Sequence, residues 1–308
     1  MSIALSILSI YIFILFGFIA KKIFKDELQE RGMSILSVYF LHPIFSFWGL
    51  STKPITLSLL QVPLYYILIS CMTIAIGSLF AFLFFSDPKE KSIMTICVAL
   101  GNTGNLGIPL GIALFGEDSI IYTSLISVAN TFLTYTLGVF FYSGGTSNVK
   151  ESLLNILRLP IIWAAFLALI LNLSGITIPP YLFRSLEMGA YCMIVMQLIV
   201  FGMYLCNIRL STLNLKLLLH VNLVKFIVAP LLTAWLLFSL LPLDPFVAAI
   251  LFVQLMMPLA LNNVNVAALY HCKPIDVATL IFFTSFLFIP YLIGISYLLN
   301  TLGIVHVG

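Results

Sequence analysis

Two stretches of this chain combine residues that bind small polar molecules with residues that break helices. The first reads Gly101-Asn102-Thr103-Gly104-Asn105-Leu106-Gly107-Ile108-Pro109-Leu110-Gly111. The second reads Gln254-Leu255-Met256-Met257-Pro258-Leu259-Ala260-Leu261-Asn262-Asn263-Val264-Asn265. Amide side chains donate and accept hydrogen bonds at once, and glycine and proline both disfavour a continuous helix. A broken helix offers its freed backbone groups as partial charges, N-termini favouring anions and C-termini cations. This chemistry suits reversible binding rather than bond-making. No HExxH motif and no pair of mid-span aspartates is present, which argues against a membrane-embedded enzyme. The five cysteines form no CxxC pair and the four histidines have no metal-ligand spacing. Neither a disulfide, a metal site nor a cofactor is expected.

The elements that hold these stretches must lie in a bilayer. Of 308 residues, 62% are apolar and 8% charged, against about 25% charged in ordinary soluble domains. No soluble fold of this length hides so much apolar surface. In hydrocarbon every backbone polar group must be paired internally, so helices or closed barrels remain. The long continuous runs select helices: an all-α integral membrane fold, its partners the lipid and a small solute, with no nucleic acid. The expected spans are 3–20, 33–50, 60–85, 93–115, 119–142, 159–174, 185–206, 217–240, 246–270 and 276–299. The N-terminal stretch is expected to be a retained span, because Lys21 and Lys22 follow it instead of preceding it.

Basic residues set the orientation. Lys21, Lys22, Lys25, Arg31, Lys89, Lys91, Lys150, Arg158, Arg209, Lys216 and Lys273 fall on one side of the ten-span arrangement; Lys53 and Arg184 fall on the other. The positive-inside rule then predicts a multi-pass protein of the plasma membrane with both termini outside. Ten spans divide into five and five, residues 1–142 and 158–308, joined by a linker at 143–157. An odd number per half enters the membrane in opposite senses, the condition for an inverted repeat. The two breakable stretches lie in span four and span nine, the fourth of each half. Corresponding interrupted spans are the best sequence pointer to a transporter's site. Asn105 precedes Pro109 by four positions and Gln254 precedes Pro258 by four, so these amides are expected to be two-fold mates.

Lys225 is the cation well inside a span. Snorkelling to the interface and a buried charge that attracts an anion or holds a helix end are both open to it. His42-Pro43 in span two reads as a kink lining the core, more than as a proton relay. Glu187 and Asp276 stand at span ends, which argues against a carboxylate-based site for sodium or protons.

At these residues the chain resembles the auxin efflux carrier family. The resemblance rests on Gly101 to Pro109, on Met257-Pro258-Leu259-Ala260-Leu261-Asn262 with Tyr270, and on Lys225 with Pro230 and Pro43. It runs over nearly the whole chain. It implies two inverted five-helix repeats, one part a scaffold and the other moving like an elevator. The broken helices four and nine would cross at Pro109 and Pro258, with Gly104 and Gly107 loosening the first. Asn105 and Asn262 would contact substrate first, with Asn102, Gln254, Asn263 and Lys225 around them. The substrate would be a small organic anion, a mono- or dicarboxylate, and the protein a homodimer. The short central loop favours a bacterial-type permease of the inner membrane. Span seven departs from the family, with Ala190-Tyr191-Cys192-Met193 where a proline is usual. The alternative is a sodium-coupled organic-anion symporter of the bile-acid type, with Gln254, Asn262 and Asn263 serving the ion; the coupling ion could also be a proton.

Overall fold

The computed structural model describes residues 3–145, 156–206 and 213–301. Of the expected linker 143–157, residues 146–155 lie outside them. The described residues form helices and no strand beyond one isolated bridge. They are α1 (Ile3–Phe24), α2 (Glu30–Leu50), α3 (Leu57–Phe84), α4 (Pro88–Cys97), α5 (Thr103–Phe115), α6 (Glu117–Tyr142), α7 (Pro160–Leu173), α8 (Pro180–Cys206), α9 (Leu215–Leu240), α10 (Pro245–Leu255), α11 (Asn262–Leu269) and α12 (Pro274–Thr301). Among the described residues, six stretches are long and apolar enough to cross a membrane: Glu30–Leu50, Leu59–Phe84, Glu117–Tyr142, Pro180–Cys206, Leu215–Leu240 and Pro274–Ile295. Shorter apolar helices are α5, α7 and α10. The long helices have greasy outer faces, with Phe82 of α3 and Leu231 of α9 each about two-thirds or more exposed, as a protein dissolved in lipid requires.

Prolines start helices here because a first-turn residue has no use for its N–H: Pro88, Pro160, Pro180, Pro245 and Pro274 each begin one. Two of these starts share a further device. The Asp87 carboxylate accepts from the N–H groups of Lys89 and Glu90 at the head of α4, and Asp244 accepts from Phe246 and Val247 at the head of α10. Both short helices therefore open on a capping Asp-Pro pair. Both then stop inside the apolar core, α4 at Cys97 and α10 at Leu255, and helix resumes at Thr103 and Asn262.

Around this pair the long helices pack in two sets. Helix α1 lies along α8 at a contact too close for side chains, with Gly17 against the backbone of Ile199 and Gly202 against that of Ile14. Helix α2 packs on α7 and α8, and α3 on α4 and α6. Between α3, α6 and α7 lies an apolar cavity of about 620 Å³, lined among others by Pro63, Phe132, Ala165 and Phe166.

Ion pairs gather at one end of the bundle. Lys273 Nζ lies 2.9 Å from Asp87 and 2.7 Å from Glu90, and Asn214 donates to the same Glu90 oxygen at 2.9 Å. The cluster joins the heads of α4, α9 and α12. The hydrogen bond from Lys273 holds the Asp87 carboxyl below its usual pKa. A depressed carboxylate pKa contributes stability above the unfolded value, about 3.9, and that contribution is lost as pH falls through the folded value. Because Asp87 is 42% exposed, the effect is under about 1 kcal/mol. In Asp87→Asn the melting temperature is expected to fall less between pH 6 and pH 3 than in the wild type, measured by scanning fluorimetry in detergent.

Candidate functional site

The two interruptions meet. Gly101 and Leu259 form an antiparallel bridge: Asn102 N–H donates to the Pro258 carbonyl at 2.7 Å, and Ala260 N–H donates to the Leu100 carbonyl at 3.2 Å. The exchange is symmetric, each segment giving one N–H and one C=O. Four backbone groups that the breaks set free are thus paired away from water, which a chain in hydrocarbon requires. In this pattern the facing residues approach closely and their own polar groups point away from the partner strand. The close approach explains glycine at 101, since a Cβ there would stand 3.1 Å from both Cβ and the carbonyl oxygen of Met257.

The outward-pointing groups are met by side chains from neighbouring helices. Asn130 of α6 donates to the Gly101 carbonyl at 2.9 Å and accepts from the Tyr66 hydroxyl of α3 at 3.0 Å. On the other segment Leu259 N–H donates to Thr284 Oγ1 of α12 at 3.2 Å. Tyr142, from the end of α6, donates to Asn263 Oδ1 at 3.1 Å and lies 3.2 Å from Cys97 Sγ. One hydroxyl therefore joins the last residue of α4 to the second residue of α11.

The residues singled out from sequence take distinct positions. Asn102 is 2% exposed; its carbonyl accepts from Leu106 and Gly107 to start α5, and its Nδ2 has no partner among the described residues. Asn105 and Gly104, one turn on, are half-buried, as is Asn262 at the start of α11. Asn263 is fully buried and committed: besides Tyr142 it bonds the carbonyls of Ala260 at 2.9 Å and Leu100 at 3.4 Å. Gln254 is 1% exposed and donates to the Gly107 carbonyl at 2.7 Å. A Cβ at Gly107 would overlap the Gln254 amide oxygen, so that glycine serves this contact. Lys225 does not snorkel. It is 1% exposed, and its Nζ donates to the Val98 carbonyl at 3.3 Å, at the C-terminal end of α4. A cation there offsets the partial negative charge of the helix end.

Pro258 belongs to the crossing itself, whereas Pro109 stands eight positions beyond Gly101, in the first turn of the α-helical part of α5. Counting from the bridge, the residue matching Asn105 is Asn263, each four positions on, and not Gln254, which lies five positions before Leu259. Pro109 has a different effect. Pro43, Pro109 and Pro230 each stand just after a five-residue turn of π-helix, with one residue between: Ser37–Leu41, Thr103–Gly107 and Val224–Val228. A proline lacks the N–H that would close the previous turn and its ring crowds that carbonyl, and widened turns of this kind occur often at functional sites. The three carry or adjoin Lys225, Asn105 and His42. Not every internal proline does this; Pro290 sits in α12 without one.

Sequence reading missed Asn130, Thr284, Tyr66 and Tyr142. One signal was available for the frame they support: the capping pairs Asp87-Pro88 and Asp244-Pro245 precede Gly101 and Leu259 by fourteen and fifteen positions. Among the described residues, no group of three or more His, Cys, Asp or Glu could hold a metal ion. The site thus consists of amides, hydroxyls and freed backbone groups at the ends of four half-helices.

The family model described as "Membrane transport protein" matches residues 2–296 of the chain. The chain is 26% identical over 292 residues to an uncharacterized transporter of Methanocaldococcus jannaschii, covering 91% of this chain and 93% of that one. It is 35% identical over 109 residues to an uncharacterized transporter of Schizosaccharomyces pombe. That match covers 33% of this chain and only 24% of the yeast protein.

Proposed function

This chain belongs to the membrane transport protein family of the auxin efflux carriers, and from that premise we propose that it is a secondary carrier of a small organic anion, a mono- or dicarboxylate. The observation that carries the reading is the reciprocal pairing of the two breaks. It leaves Asn105 and Asn262, half-buried, at the starts of two resumed helices whose N-terminal ends favour negative charge. These two amides bind the substrate carboxylate, with Asn102 beside them. Lys225, Gln254 and Asn263 serve it indirectly by holding α4, α5 and α11 in place.

The wider architecture of the proposal is ten spans in two inverted repeats of five, with both termini outside the bacterial inner membrane and α1, α2, α7 and α8 as a dimeric scaffold. Matching Asp-Pro caps and the symmetric exchange at Gly101 and Leu259 support the repeat. The apolar lining between α3, α6 and α7 supports an elevator, because that part of the contact has no hydrogen bonds to break when one side slides.

The test is uptake of radiolabelled malonate, malate and acetate by protein in liposomes, with and without sodium and proton gradients. In Asn105→Ala, transport is expected to fall about tenfold or more, the loss of a hydrogen bond to a charged group, while the protein stays folded. Uptake that needs sodium would turn the reading to a sodium-coupled symporter. Absence of uptake by folded wild type would sink the organic-anion assignment and leave the family membership standing.

A further inference from the structure

The broken helices account for two walls of the site. A third comes from α2. His42 Nε2 is out of contact with solvent and has no hydrogen-bond partner among the described residues. Its ring faces the first break directly: a Cβ built at Gly104 would stand 3.6 Å from His42 Cε1 and 3.7 Å from Nε2, and 3.2 Å from Ser127 Oγ of α6. Three helices thus converge on one glycine. The neighbouring residues add to the imbalance, since Thr103 is fully buried and its Oγ1 has no partner among the described residues, and the same holds for Asn102 Nδ2. Unpaired polar groups are expensive in an apolar interior. Of the three, the His42 nitrogen is the one that lies against the half-open Gly104.

From this geometry we infer that His42 is a substrate-contacting residue of the carrier, donating its Nε2–H to the carboxylate that Asn105 also holds. The inference rests on the organic-anion reading and adds a ligand from a different helix. An imidazole presents Nε2–H when charged and in one neutral tautomer, and the buried Asn102 amide and Thr103 hydroxyl just before Gly104 can also donate. Donors facing a helix N-terminus suit an anion and not a cation. The device that aims the ring is local. The widened turn Ser37–Leu41 ends at His42, whose N–H donates to the Ser37 carbonyl five residues back, and Pro43 prevents the next regular bond. Glycine at 104 then brings the backbone of α5 up to the ring, where an added methyl group would come into van der Waals contact with it.

The site therefore joins an element of one packed set, α2, to elements of the other, α5 and α6. A carboxylate held between them makes His42 a determinant of which acids fit, because the distance from Nε2 to Asn105 limits the size of the acid group.

The experiment compares wild type, His42→Ala, His42→Gln, Gly104→Ala and Asn105→Ala in the same liposomes, with malonate, malate and acetate as probes, reading KM and kcat separately and melting temperature beside them. For a transported acid, KM is expected to rise about 10- to 100-fold in His42→Ala. His42→Gln, whose amide nitrogen reaches the same place, is expected to recover most of that loss. Gly104→Ala is expected to lower uptake with little change in melting temperature. If Asn105→Ala loses transport while His42→Ala keeps the wild-type KM, this inference falls and the carrier reading stands. It falls equally if His42→Gln fails to restore KM and both histidine variants melt early, which would make the ring a packing element. If wild type carries none of the three acids, both readings fall together.

Discussion

Gly202→Ala is expected to give little folded protein in detergent, and Gly17→Ala the same. Each glycine lies against main chain and not against a side chain that could turn aside. A methyl carbon at Gly202 would overlap the Ile14 carbonyl oxygen and stand 2.8 Å from Phe18 N; one at Gly17 would overlap the Ile199 carbonyl oxygen and stand 2.9 Å from Ile199 Cα. The contact is reciprocal, since each glycine meets the residue three positions before the other. Relief needs α1 and α8 to separate along their length, and close approach of backbones is what holds helices together in lipid. Ordinary overpacking costs about 1–3 kcal/mol; displacing two helices should cost about 4 kcal/mol or more, in the range where single changes unfold proteins. Gly294→Ala supplies the control. Nothing lies within 4 Å of a Cβ there, so the methyl group should stabilise α12 by about 0.5–1 kcal/mol. Size-exclusion profiles and melting temperatures of the three variants separate the cases; equal behaviour would overturn the packing argument.

Asn130→Leu is the second large loss. Its amide serves both the Gly101 carbonyl and the Tyr66 hydroxyl, and Tyr66 is fully buried. Leucine keeps the volume and removes both bonds, leaving two polar groups unpaired at the crossing. Each such orphan costs about 1–3 kcal/mol, so the variant should lose about 2–6 kcal/mol of stability. Tyr66→Phe removes the second orphan along with its partner, so Asn130→Leu combined with Tyr66→Phe should recover part of the loss. A double-mutant cycle on melting midpoints measures this coupling, and strict additivity would show that the tyrosine hydroxyl has another partner.

The helical class and the place of the breaks were legible because they depend on composition and local chemistry. An apolar run announces a membrane helix wherever it packs, and Gly101 to Gly111 cannot form an unbroken one. Register was harder. The crossing is made by main-chain groups at Gly101 and Leu259, and a leucine in an apolar run carries no mark of that duty. Prolines drew attention to 109 and 258 and thereby paired Asn105 with Gln254, although Pro109 only widens the turn before it. Lys225 could be recognised as unusual, but its acceptor, Val98, is 127 residues away in sequence. Asn130 and Thr284 were invisible for a similar reason, because one polar residue in a membrane helix points toward lipid, solvent or core according to neighbours that sequence does not rank.

The symmetric pairing at the centre has a consequence for how such a protein can evolve. Its geometry is written in peptide groups, which every amino acid except proline supplies, so the identity of residue 100 or 260 is nearly irrelevant to keeping the two segments aligned. The half-buried amides Asn105 and Asn262 can then change, and with them the molecule carried, while Asn130, Tyr142, Asn263 and Thr284 keep holding the frame. A change of cargo without a change of architecture becomes possible when the fixed geometry lies in the backbone and the binding groups lie beside it.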